Sequence, residues 1–178
     1  MLNRELLEQQ LLELPLYMYA YIDPKGLEFT QRVRHICQAE CPMYNTTWAC
    51  PPAVGEVAQC EKKCLGYENC LLIGTIVEVA DIADIRQTLD TRGDHEDMTN
   101  QVRDLMRAQG VEPYVLSTEA CAACERCAWL DGQPCRHPDR MHPCVESHGI
   151  NIIPTLESCG ETFQYGSNMV TWYSLLFF

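Results

Sequence analysis

The chain has 178 residues, with 13 Lys and Arg against 25 Asp and Glu, a formal net charge of −12 and an isoelectric point near 4.7. That balance argues against nucleic acid or an anionic membrane surface as partner, since both need clustered cations, and it favours a protein partner with a basic patch. The length suits one domain with a genuine core, and the twelve cysteines fall short of the roughly 8–10% that marks a disulfide scaffold.

Leu2 to Leu14 places Leu2, Leu6, Leu7, Leu11 and Leu14 on one helical stripe with acids between them, and Pro15 ends it. No basic stretch followed by a plain apolar run opens the chain, so a cytoplasmic location is expected. Thiols stay reduced there and bind metal rather than pair. Tyr17 to Ile22 reads as a strand and Asp23-Pro24-Lys25-Gly26 as the turn after it. Residues 1–26 thus form a helix and strand ahead of a cysteine-rich region over 27–178, within one domain of 1–178. Phe29 to Ile36 predicts a short helix that delivers Cys37.

The first cysteine group follows, Cys37, Cys41 and Cys50, within C-Q-A-E-C-P-M-Y-N-T-T-W-A-C-P-P. Pro42, Pro51 and Pro52 fix φ and remove backbone donors, which favours a stiff shell. Trp48 is a candidate shield between a metal centre and water, with a plain core tryptophan as the alternative. Cys60, Cys64 and Cys70 form a second group. They are candidate additional ligands, or buried small hydrophobes.

Leu71 to Val79 is apolar and β-branched, a strand. Asp81 suits the N-cap of a helix carrying Ile82, Ile85 and Leu89, and Thr91 to Asp94 reads as a polar break. A second helix carries Met98, Val102, Leu105 and Met106, and Gly110 suits its C-terminal cap. Tyr114 to Ser117 predicts a short strand and Asn151 to Ile153 another. Met169 to Phe178 predicts a final strand, apolar on both faces and therefore central. It is too short to span a bilayer. These elements predict an α/β or α+β domain, a small mixed sheet packed with helices, with cysteine-rich loops at the element ends.

The most informative stretch is C-A-A-C-E-R-C-A-W-L-D-G-Q-P-C, which carries Cys121, Cys124, Cys127 and Cys135. Iron–sulfur cubanes are held by triplets of this spacing, because each thiolate reaches a different iron. Zinc more often takes paired C-x2-C elements. Cys50, followed by Pro51, is also a candidate for the triplet's site, with Cys135 serving the other, as in two-cluster ferredoxins. Arg126, Arg136, His137, Arg140 and His142 make a local cationic patch. Arg136 there would raise a cluster's potential, and His137 or His142 would replace a thiolate in a Rieske-like variant. Cys144 and Cys159 read as structural thiols.

The pairing of C-x3-C…W-A-C-P-P with C-A-A-C-E-R-C…C-R-H-P-D and V-E-S-H-G-I-N-I resembles a prokaryotic family of unknown function described as predicted metal-binding proteins. The likeness runs from about Leu27 to the C-terminus. It implies metal ligands at Cys37, Cys41, Cys50, Cys121, Cys124, Cys127 and Cys135, family positions at Arg136 and Pro138, and an iron–sulfur cofactor. Members are often found in anaerobes. Cys60, Cys64 and Cys70 stand out as additions, and Cys144 stands where a serine is usual.

Three functions compete. The first is a [4Fe–4S] protein with one or two clusters, or three, passing electrons at low potential to a redox partner. The second is a redox or Lewis-acid enzyme with a three-cysteine cluster and an open iron. The third is a zinc-bearing structural or interaction module. The radical S-adenosylmethionine triplet C-x3-C-x2-C, a glycine-rich phosphate loop and H-E-x-x-H are all absent. Whether the C-terminal strand lies in a core or at a homo-oligomer interface is open at this level.

Overall fold

A computed structural model describes residues 2–119 and 121–178. Helix α1 (Arg4–Leu11) begins at Asn3, whose side chain accepts from the Leu6 N–H. It is shorter than the stripe predicts, though Leu7 and Leu11 are buried and Leu2 and Leu14 pack against the same cluster; Leu6 is exposed. Strand β1 (Met18–Ile22) and the short β2 (Glu28–Phe29) follow. Helix α2 (Gln31–Glu40), capped by the Thr30 side chain on the Arg32 N–H, runs past Ile36. Cys37 is therefore inside the helix rather than after it. Helix α3 (Val57–Cys64) leads into β3 (Cys70–Glu78).

The next region departs from the sequence expectation. Asp81 caps only a turn, accepting from the Ala83 N–H. Asp84 is the N-cap of α4 (Ile85–Asp90). Thr91 then joins α4 directly to α5 (Arg92–Ala108), so the polar break at 91–94 is helical. The Thr91 hydroxyl donates to the Thr88 carbonyl and accepts from the Trp172 indole at 2.9 Å, which holds the junction against the sheet. Gly110, at φ +76°, follows the end of α5, as a C′ glycine does.

Strand β4 (Tyr114–Leu116) precedes the cysteine triplet. Only Ile150–Asn151 is extended (β5), and Ile153 opens α6 (Ile153–Ser158) with Pro154 in its first turn. The chain ends in β6 (Met169–Phe177).

The main sheet has the order β1-β3-β6-β4, and its ladders are antiparallel. The isolated bridge Ser117↔Cys144 is parallel. The strand read as apolar on both faces, β6, is central as that composition requires, and β3, read as an apolar β-branched strand, is its inner partner. Alternation along them divides the core. Leu71, Ile73 and Leu176 face α1 and α5, with Leu7, Leu11, Val102 and Met106. Leu72, Leu175 and Phe177 face the other side, with Cys64, Cys70, Ile150 and Leu156. The result is a small α+β fold whose cysteine loops, 41–56 and 117–149, are strung outside the sheet. No helix among the described residues is long and apolar enough to cross a membrane.

Candidate metal centre

The two cysteine loops are locked together by tryptophan. Trp48 and Trp129 meet edge to face with ring centroids 4.7 Å apart. The Trp48 indole donates to the Gln133 carbonyl at 2.9 Å, and the Trp129 indole to Asn45 Oδ1 at 2.9 Å. Each ring thus anchors in the other's loop. Trp48 was singled out in the sequence as a shield. Trp129, two residues after Cys127, was not, although an indole inside a cysteine loop was the available signal.

Replacing Trp129 by Phe keeps a ring but removes a donor, a loss of about 1 kcal/mol. Amides of the 45–50 turn, such as Asn45 and Cys50 bonded to the Pro51 and Thr47 carbonyls, should exchange about fivefold faster. Unchanged hydrogen exchange there would show that the clasp does not hold the loops.

The clasp sets two cavities side by side. The helix-side cavity, about 500 Å³, is lined by Cys37, Cys41, Cys50 and Cys144. The triplet cavity, about 570 Å³, is lined by Cys121, Cys124 and Cys127 together with Met43, Thr46 and Thr47 of the first loop. Cys37 and Cys41 come to one face because they are four residues apart at the end of α2. The Cys50 thiol is pushed up by burial, a rise that the Thr47 hydroxyl opposes and the charges of Cys41, Cys121 and Cys127 reinforce. Burial, then Cys41 and Cys50, pushes Cys37 up to about 11. Cys121 is raised by burial and feels Cys135 and Cys127. Cys135 itself is half-buried beside the triplet cavity's thiols rather than on its lining.

A buried guanidinium holds the helix-side cavity together. Arg34, 9% exposed and one turn before Cys37, donates to the Gly55 carbonyl at 2.8 Å and the Ser147 carbonyl at 2.5 Å. It also reaches the Cys60 sulfur at 3.7 Å. One side chain therefore ties α2, the end of the first loop and the 144–149 turn. The turn is further fixed at Gly149, φ +74°, where a Cβ would meet Val57 Cγ2 at 2.9 Å and the Thr30 carbonyl at 3.0 Å. Sulfur atoms at this cavity already accept hydrogen bonds. The Thr47 hydroxyl donates to Cys50 Sγ at 3.1 Å and the Ser147 N–H to Cys144 Sγ at 3.2 Å. Such bonds favour the thiolate and stabilise a ligated sulfur.

Other sequence candidates lie elsewhere. Cys64 and Cys70 are fully buried in the apolar cluster, and burial pushes Cys64 up to about 12. Cys60 is buried and its thiol donates to the Val54 carbonyl at 3.4 Å. The two cavities are lined without these thiols. Arg136 donates to the Arg126 carbonyl at 2.9 Å, and Arg126 pairs with Asp131, so both brace the loop between Cys127 and Cys135. His137 is exposed. His142 is engaged by Arg103 at 3.2 Å and Asn100 at 3.1 Å, and burial lowers it to about 4. Cys159 is half-buried at the end of α6. Among the described residues, no three His, Cys, Asp or Glu side chains converge on a single point for one metal ion. The thiols are spread around cavities instead.

The profile of the family described as "predicted metal-binding protein (DUF2284)" matches residues 20–178. The chain belongs to this family. The match begins ahead of Leu27, inside β1, so the family region takes in β3, β4 and β6, part of β1 and both cysteine loops. No curated protein and no solved structure matches the chain at a significant level. For this member of the DUF2284 family, metal binding and the thiols facing the two cavities point to the same chemistry. Softer ligands than oxygen are supplied in number, which suits iron–sulfur or zinc rather than calcium or magnesium.

Proposed function

We propose that the protein carries [4Fe–4S] clusters, one held by Cys121, Cys124, Cys127 and Cys135 and one by Cys37, Cys41 and Cys50, and passes electrons to or from a partner protein. The observation that carries this reading is the pair of adjacent thiol-lined cavities, joined where Thr47 of the triplet cavity bonds the Cys50 sulfur of the helix-side cavity at 3.1 Å. A cubane takes one thiolate per iron, so its ligands stand around a space rather than converge on a point. Bound there, such clusters supply reversible one-electron reduction at low potential.

The chain's own residues do the rest. Thr47 holds the Cys50 sulfur on the wall between the cavities. Trp48 and Trp129 keep the loops closed on each other. Glu40, Glu119 and Glu146 line the helix-side cavity and Glu125 the triplet cavity. That acidic rim supports docking of a basic patch, strongest at low ionic strength.

The test is anaerobic purification followed by iron, acid-labile sulfide and zinc per chain, with visible spectra before and after dithionite. Iron with matching sulfide and a chromophore that bleaches is expected. Cys124→Ala and Cys37→Ala should each remove one cluster, about half of the iron if two are present. Cys159→Ala should leave iron unchanged. Zinc without sulfide or colour would replace this reading with a structural zinc module.

A further inference from the structure

The centre at Cys37, Cys41 and Cys50 has three thiols from the cysteine motifs, and a fully protein-ligated cubane needs four. Most other thiols are committed. Cys121, Cys124 and Cys127 line the triplet cavity. Cys64 and Cys70 sit inside the apolar core, and Cys60 is held by Arg34 and the Val54 carbonyl. Cys144 is different. It is 8% exposed, yet it belongs to neither apolar cluster. It lines the same cavity as Cys37, Cys41 and Cys50, among Glu119, Glu146 and Pro51.

Its place is fixed from three sides. Ser117, at the end of β4, donates through its N–H to the Pro143 carbonyl at 2.8 Å and accepts from the Val145 N–H at 3.1 Å. The Ser147 hydroxyl donates to the Cys144 carbonyl at 2.6 Å. Arg34, on the helix that carries Cys37, holds the Ser147 carbonyl. The Ser147 N–H donates to the Cys144 sulfur, as the Thr47 hydroxyl does to the Cys50 sulfur across the cavity. A packing cysteine needs no such partner. A buried thiolate does.

Resting on the iron–sulfur reading above, we propose that Cys144 is the fourth thiolate of the centre held by Cys37, Cys41 and Cys50, its thiol proton leaving to solvent as iron binds. The centre is then closed, with every iron bound to sulfur and none open to a substrate. That makes it an electron carrier and not a Lewis-acid site. It also leaves Cys135 to the triplet, so the two centres do not exchange ligands.

The test compares the anaerobically isolated full chain with Cys144→Ala, Cys37→Ala and Cys64→Ala, the last a thiol buried even more completely but outside both cavities. Iron and sulfide per chain and low-temperature electron paramagnetic resonance are read for each, with circular dichroism as the check on folding. Cys144→Ala should either lose one cluster's iron and sulfide or convert that cluster to a three-iron signal. Cys37→Ala should lose the same cluster, and Cys64→Ala should keep full iron.

Full iron and an unchanged spectrum in Cys144→Ala, beside a loss in Cys37→Ala, would overturn the role of Cys144 and leave the iron–sulfur reading standing. Equal losses in Cys144→Ala and Cys64→Ala would also overturn it, since any buried thiol would then matter alike. A wild-type protein free of iron and sulfide would overturn both readings together. Should Cys144→Ala fail to fold, Cys144→Ser takes its place: an oxygen ligand must shift the resonance of one cluster, and an unshifted signal counts against the proposal.

Discussion

Arg34→Met should lower stability by about 3 kcal/mol and, on the iron–sulfur proposal, remove the iron of the helix-side centre. Methionine matches the length of the stem but donates nothing. The Gly55 and Ser147 carbonyls would lose a charged donor each, and hydrogen bonds of that kind contribute about 1.5–3 kcal/mol apiece. Removing the buried guanidinium also removes its desolvation penalty, which offsets part of the loss. The net cost falls where three segments meet, so the wall formed by the 144–149 turn should part from α2. Urea denaturation and iron content read the two effects separately. A variant within about 0.5 kcal/mol of wild type and fully loaded would show that Arg34 merely fills space.

Acid should destabilise the protein well before its carboxylates titrate. His95 and His148 are each 1% exposed, and burial lowers both to about 3. His95 is wedged between the Thr75 and Ser174 hydroxyls, at 2.8 Å from each. His148 contacts the Tyr114 hydroxyl at 2.6 Å, with Lys63 and Arg34 nearby adding to the lowering. Both are held neutral in the fold, whereas the unfolded chain protonates them near pH 6.5.

Their stabilisation is therefore complete above about pH 6.5 and is lost as pH falls from there toward 3. At pH 5 the loss is about 2 kcal/mol for each, or about 4 kcal/mol together. Total stabilities run only about 5–15 kcal/mol. Glu96, linked to His95 through Ser174 and Ser117, has its carboxyl raised by burial. It works in the opposite sense, but only as pH nears the carboxylate range. Urea midpoints at pH 7.5 and 5.0 measure the slope, to which buried His142, lowered to about 4, adds a share of similar size, so His95→Gln should flatten it by about a third. A slope unaltered in that variant would remove His95 as the cause.

Where local pattern dominates, the fold was readable. β3 and β6 are continuous apolar runs, and a run buried on both faces has only the centre of a sheet to occupy. α5 follows the helical stripe of Met98, Val102, Leu105 and Met106. Errors arose where a tertiary contact overrode a local preference. Thr91 to Asp94 looks like a break, but Trp172 donates to the Thr91 hydroxyl and the chain stays helical. Ile152 and Ile153 have strand propensity, yet Pro154 sits in the first turn and the Asn151 side chain accepts from the Ile153 N–H, and a helix starts there. Cys144 read as a structural thiol because it stands alone in sequence, and its neighbours in space come from α2 and the first loop.

By itself, the sequence determined which loops carry the thiols and that the C-terminal strand lies at the centre of the sheet. Both follow from spacing and alternation, which act over a few residues. Tertiary structure alone decided that the helix-side and triplet cavities meet at the Thr47–Cys50 bond, that Cys144 shares a cavity with Cys37, and that Trp129 and Arg34 hold those arrangements. Those pairings join segments as far apart as Arg34 and Ser147. They form only when the sheet and α2 have brought the loops together, because closing such long loops costs chain entropy that no local motif offsets.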